Sequence, residues 1–98
     1  MAYSDYTIQN VWEKGNIIPW YDPNVWRKDQ CGAWIGCEFY GNRNSQYGWE
    51  IDHITPQSEQ GGENLFNLRP LQWENNAEKS AGKLSCPITS SGVNNIRR

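Results

Sequence analysis

The chain predicts a small α+β domain, on three observations. Its 98 residues suffice for one modest core and not for two. Apolar residues recur at helical spacing near the N-terminus and switch to strict alternation at residues 47–52. Beyond that point the chain reads strand, loop, strand, helix. A mean hydropathy of -0.86 is low, so the core must lean on large side chains. Six Trp and five Tyr supply them, each able to bury about 150–250 Å². Core packing is therefore the expected role of the Trp residues, ahead of base stacking.

The elements follow in order. Ile8, Val11 and Trp12 share one helical face, and Gly15 stands where a helix cap belongs, so residues 7–14 are expected to form a helix. Residues 16–29 contain Pro19, Pro23 and an Asp22-Pro23 turn signal, and are expected to be an extended, ordered loop. Residues 33–37 are β-prone, and residues 40–45 are dense in turn formers. In the next strand, residues 47–52, Trp49 and Ile51 face one way and Glu50 and Asp52 the other, so the apolar face should be buried. Pro56 and Gly61-Gly62 make the following stretch a loop. Residues 65–71 read as a short strand anchored by Leu68 and Leu71. Residues 72–79 read as a helix, with Trp73 and Ala77 spaced to pack together. From Ala81 on, the basic tail is irregular or a closing strand.

Charge and cysteine content narrow the setting. The formal net charge of -2 is awkward for binding a polyanion, which depends on Lys and Arg at phosphates. Its distribution is uneven. Residues 1–78 carry five basic and eleven acidic side chains, whereas residues 79–98 carry Lys79, Lys83, Arg97 and Arg98 and no acid. Arg27, Lys28 and Arg43 form an upstream basic group. Cys31, Cys37 and Cys86 lack paired C-x-x-C spacing, and Cys31 and Cys37 are expected to be small buried apolar residues. No apolar run approaches the ~18 residues of a membrane span, and residues 1–6 do not read as a leader, so a cytoplasmic protein with no membrane partner is expected.

Chemistry concentrates in residues 50–79. Glu50-Ile-Asp-His-Ile-Thr-Pro56 holds the single His of the chain, and Asn67-Leu-Arg-Pro-Leu71 and Asn75-Asn76-Ala-Glu-Lys79 follow. Hydrolysis of a phosphodiester needs a group to take a proton from water and a cation to stabilise the leaving oxygen. An imidazole with a pKa of about 6.5 suits the first task, so His53 is the candidate general base. Asp52 with an Asn oxygen suits a hard cation such as Mg²⁺ or Mn²⁺. Asn75 and Asn76 both offer that amide, and only the three-residue spacing to Lys79 favours Asn76. Arg69 and Lys79 are candidate phosphate contacts.

This Asp-His, Asn, Asn arrangement resembles the HNH family of nucleases over roughly residues 48–80, with Asn in place of the usual final His. The run from Ile51 to Ser58 is similar to the HNH domain of CRISPR effector nucleases. The resemblance implies a ββα-metal finger, here joined by an N-terminal helix and an extra strand. It also implies that Asp52 and Asn76 hold one divalent cation, and that Asn67 pins the loop and orients the His53 ring. Many family members carry Cys pairs for a structural zinc. Gln72 and Asn75 stand at two of those positions, so zinc is not expected. The function implied is DNA cleavage with little sequence preference, RNA being left open. The alternative is an inactive DNA-binding protein or a nuclease partner or inhibitor that keeps the fold.

Overall fold

In the computed structural model, which describes residues 3–59, 61–80 and 82–98, the chain is a mixed helix-and-sheet domain with three separate two-stranded antiparallel ladders. Gln60 and Ala81 lie outside the described residues. The first helix, α1, spans Asp5–Trp12, two residues earlier than its apolar spacing predicts. Ser4 decides the start, because its Oγ accepts from the Thr7 amide at 3.1 Å and satisfies a donor that the helix cannot. Gly15 is not the cap; Glu13 is. What keeps Gly15 side-chain-free is a neighbour, since a Cβ there would sit 3.1 Å from both Cβ and Cδ of Arg27.

The stretch 16–29 is not loop throughout. Strand β1, Trp26–Lys28, pairs with β2, Trp34–Gly36, setting Arg27 opposite Ile35. Three residues following two prolines carry too little periodicity to be recognised in advance. Strand β3, Trp49–His53, pairs with β4, Leu68–Gln72. The expected strand over 65–71 begins late, because Leu65–Asn67 forms a 3-10 turn that turns Phe66 out to solvent. Helix α2, Trp73–Ala77, follows β4 directly. Its N-cap is Gln72, whose Oε1 accepts from the amides of Glu74 and Asn75. Ala77 is exposed, and the buried residue of α2 is Asn75. The tail is ordered: β5, Ile88–Ser91, and β6, Asn94–Arg97, make a hairpin turned at Gly92, whose φ of 62° suits glycine.

The core is aromatic, as composition requires. Val11, Trp12, Ile35, Trp49 and Leu68 are buried together, and Trp12 and Trp49 lie 5.3 Å apart between ring centroids. Trp20 departs from the expectation and is fully exposed. Beneath β4 and α2 lies a buried polar knot. Asp29 Oδ1 accepts from the amides of Cys31 and Ala33, and Oδ2 accepts from the Gln72 amide and Asn75 Nδ2. Burial pushes this carboxyl above its ordinary range while the four hydrogen bonds pull it back.

Cys31 is not a free apolar residue; it forms a disulfide with Cys86. The odd cysteine count and the 55-residue separation hid the pair in the sequence. Cys37 is free and half-buried. No helix among the described residues is long and apolar enough to cross a membrane.

Candidate functional site

Strand β3 delivers two adjacent residues of opposite facing, Asp52 and His53, to the place where the chain leaves the ladder. Helix α2 and the residues that follow it cover the Glu50 and Asp52 side of the strand, as Asn76 Nδ2 donates to Glu50 Oε1 at 2.8 Å and Lys79 Nζ to Asp52 Oδ1 at 2.5 Å. The result is a cavity of about 350 Å³ whose wall includes Asp52, His53, Gln57, Asn76 and Lys79. The pairs Glu50 with Leu71 and Asp52 with Arg69 are direct cross-strand neighbours. That register explains why Arg69 Nε reaches Asp52 Oδ2 at 2.7 Å.

Asp52 is 5% exposed and carries two cations, Arg69 and Lys79, one on each oxygen. A buried carboxylate in this state has its charge compensated twice. Lys79 is further held by the His53 carbonyl at 3.0 Å. Both basic residues thus lie at the cavity's acid.

The His53 ring is held by a residue that the sequence did not single out. Its Nε2 lies 2.6 Å from Glu63 Oε1, and Gln57 Nε2 donates to the other oxygen of Glu63. A carboxylate at that nitrogen accepts from Nε2–H, so in the neutral imidazole the free lone pair is on Nδ1. The side-chain contact to the His53 ring implied for Asn67 is made by Glu63. Asn67 does pin the loop: it is buried, accepts from the Thr55 amide and donates to the carbonyls of Thr55 and Gly62. Gly61 completes this tight path, as a Cβ there would collide with the Thr55 carbonyl.

Asn75 and Asn76 separate cleanly. Asn75 is fully buried, joined to Asp29 and to both the amide and carbonyl of Ile88, whereas Asn76 lines the cavity. Glu50 forms a pair with Arg43, at 2.6 and 2.9 Å. That guanidinium holds the Glu50 carboxyl below the usual range; partial burial opposes the shift, and the Asn76 amide supports it.

The expected phosphate contacts have different partners. Arg27 is to be withdrawn from the set: it is 7% exposed, its guanidinium donates to the carbonyls of Glu13, Gly15 and Pro23, and it lies over the Trp12 ring. It closes the end of α1. Arg97 is tied to Glu74 and Glu78 of the α2 region, and Arg43 to Glu50. Lys28 stands over Trp34. Lys83 and Arg98 are exposed and make no ion pair among the described residues.

No group of three or more His, Cys, Asp and Glu side chains is gathered for a metal ion among the described residues. Asp52 and Asn76 nevertheless offer the oxygen donors of a hard cation, which needs few protein ligands and completes its shell with water. They fit such an ion by donor type, with the Lys79 ammonium occupying the Asp52 oxygen it would share. No family model, curated protein or solved structure matches the chain.

Proposed function

We propose that this domain is a metal-dependent endonuclease of the HNH type, hydrolysing DNA phosphodiester bonds with little sequence preference. The observation that carries the reading is that the adjacent pair Asp52 and His53 opens onto one cavity with Asn76 and Lys79, which lie far along the chain from it. In the β3–β4–α2 unit, the ββα-metal finger of this proposal, Asp52 and Asn76 would hold one Mg²⁺ or Mn²⁺. That ion supplies charge stabilisation at the phosphate and at the departing oxygen. His53 accepts the proton of the attacking water at Nδ1, and Glu63 holds the ring and stabilises the imidazolium that results. Asn67 fixes the loop that carries Glu63. Lys79 and Arg69, both held at Asp52, would meet the substrate's phosphate.

Incubating supercoiled plasmid with the protein, with and without Mg²⁺ or Mn²⁺, tests this. Metal-dependent nicking or linearisation is expected, and His53→Ala should abolish it while leaving the fold intact. Comparable cleavage by the variant at equal concentration refutes the assignment of the base.

A second reading is a DNA-binding or nuclease-partner protein without turnover. It is favoured by one observation, the double engagement of Asp52 by Arg69 and Lys79. Binding of DNA with no cleavage in any metal, and no Mn²⁺ uptake in calorimetry, would select it. If the protein works in the cytoplasm, Cys31 and Cys86 are kept there as thiols, since disulfides persist in oxidising compartments.

A further inference from the structure

A second cavity, walled by Tyr21, Trp26, Trp34, Tyr47 and Val93, takes no part in the site above. Its volume is about 180 Å³, below the roughly 300 Å³ at which pockets for drug-sized ligands begin, so it suits a single planar ring. Four of its five lining side chains are aromatic, and they meet edge to face. Tyr21 and Trp34 lie 5.0 Å apart at 72°, Trp26 and Tyr47 5.0 Å apart at 75°, and Trp26 and Trp34 6.2 Å apart at 87°. Crossed rings present faces as well as edges to whatever enters. Their polar atoms are largely spent on the protein itself, as Tyr47 Oη donates to the Val93 carbonyl and Trp34 Nε1 to the Gly92 carbonyl. What remains is stacking surface.

Charge selects among ring-bearing ligands. Lys28 Nζ stands 5.1 Å from the Trp34 centroid and pairs with no carboxylate among the described residues. Among the described residues, none that lines the cavity is acidic. A cationic guest would meet a like charge over a ring already engaged by a cation. A ring carrying an anion meets the opposite sign. Next to Tyr21 in the chain, Trp20 is fully exposed and held at φ 74°, a conformation that bulky residues seldom adopt.

We propose that this cavity takes one unstacked base of single-stranded nucleic acid, with Lys28 at an adjoining phosphate. An aromatic platform beside a lone cation is the chemistry by which single strands are held without sequence readout. The proposal deepens the nuclease reading, since it gives the substrate an unpaired segment, but it concerns binding alone. Its test contains no metal and measures no cleavage, so either reading can fail without the other.

Intrinsic tryptophan fluorescence and anisotropy of the full chain would be followed during titration with a single-stranded oligonucleotide of about ten residues, a duplex of the same sequence, and an abasic oligonucleotide of equal length. The single strand should quench fluorescence and bind about tenfold or more tighter than the abasic strand, which carries the phosphates without the bases. Tyr21→Ala should reduce the single-strand affinity to the abasic level, whereas Tyr21→Phe should retain it, with near-ultraviolet circular dichroism reporting that both are folded. Lys28→Gln should lower the salt dependence of binding for both strands. Equal affinity for abasic and base-bearing strands overturns the proposal. So does saturable binding of tetramethylammonium that Tyr21→Ala removes, which would make the cavity a cation site. A dimer that Trp20→Ser or Tyr21→Ala dissolves would make the patch a protein interface and overturns it equally.

Discussion

At the scale of single residues, the electrostatics of the candidate site are set by which partner each ionisable group has. Lys79 occupies the Asp52 oxygen that a cation would use. Lys79→Met should therefore raise the affinity of the metal-free protein for Mn²⁺, by roughly tenfold or more in calorimetry, because a competing unit charge is removed. Unchanged or weaker affinity would place the ion elsewhere. Glu50 offers a pH signature. Its folded-state pKa is depressed by Arg43, so its ionised form contributes stability above the unfolded value of about 4.3. That contribution is lost as pH falls through the folded pKa. Arg43 is about half exposed, so the effect should be about 1 kcal/mol or less. Melting temperatures of the wild type and Glu50→Gln should differ at pH 7 and converge towards pH 3. A constant difference across that range would mean that the pair is not the cause. The sequence made Asp52, His53 and Asn76 legible because their types and spacing state a chemistry. Glu63 and Asp29 were not, since an acid after two glycines or before a Gln-Cys turn looks the same whether it is solvated or buried.

At the scale of elements, adjacent amides on a five-residue helix serve different ends. Asn75 points inward and joins β5 to the buried Asp29, whereas Asn76 lines the cavity. Asn75→Ala is expected to destabilise the fold by about 2–3 kcal/mol in chemical denaturation, because buried partners lose their hydrogen bonds. Asn76→Ala should leave stability within about 1 kcal/mol and weaken Mn²⁺ binding. The opposite pattern would shift the helix register by one. Alternation in residues 47–52 announced β3, which spans Trp49–His53, with Trp49 buried and Ile51 partly buried against the core, while Asp52 on the other face is buried as well. Strand β1 was hidden, and β5 and β6 were left undecided between irregular chain and a closing strand, for a local reason. Each is three or four residues long, and pairing across a turn, more than its own pattern, makes it a strand.

At the scale of the whole molecule, one covalent bond joins distant parts of a small domain. Bridging residues 55 apart removes chain entropy from the unfolded state worth about 4 kcal/mol, a large share of what a domain of this size possesses. Reduction should lower the denaturation midpoint accordingly in urea, and a Cys31→Ser, Cys86→Ser variant should match the reduced protein. An unchanged midpoint would contradict this. The fold class could be read from the sequence, but this closure could not, because an odd cysteine count names no partners. It also has a topological effect. Residues 31–86 become a ring that contains every candidate residue from Asp52 to Lys79. A protease that severs the backbone once between β3 and β4, at the rim of the cavity, would open the ring without dividing the molecule. The two pieces would separate on a gel only after reduction, so an oxidised protein clipped there remains a single particle.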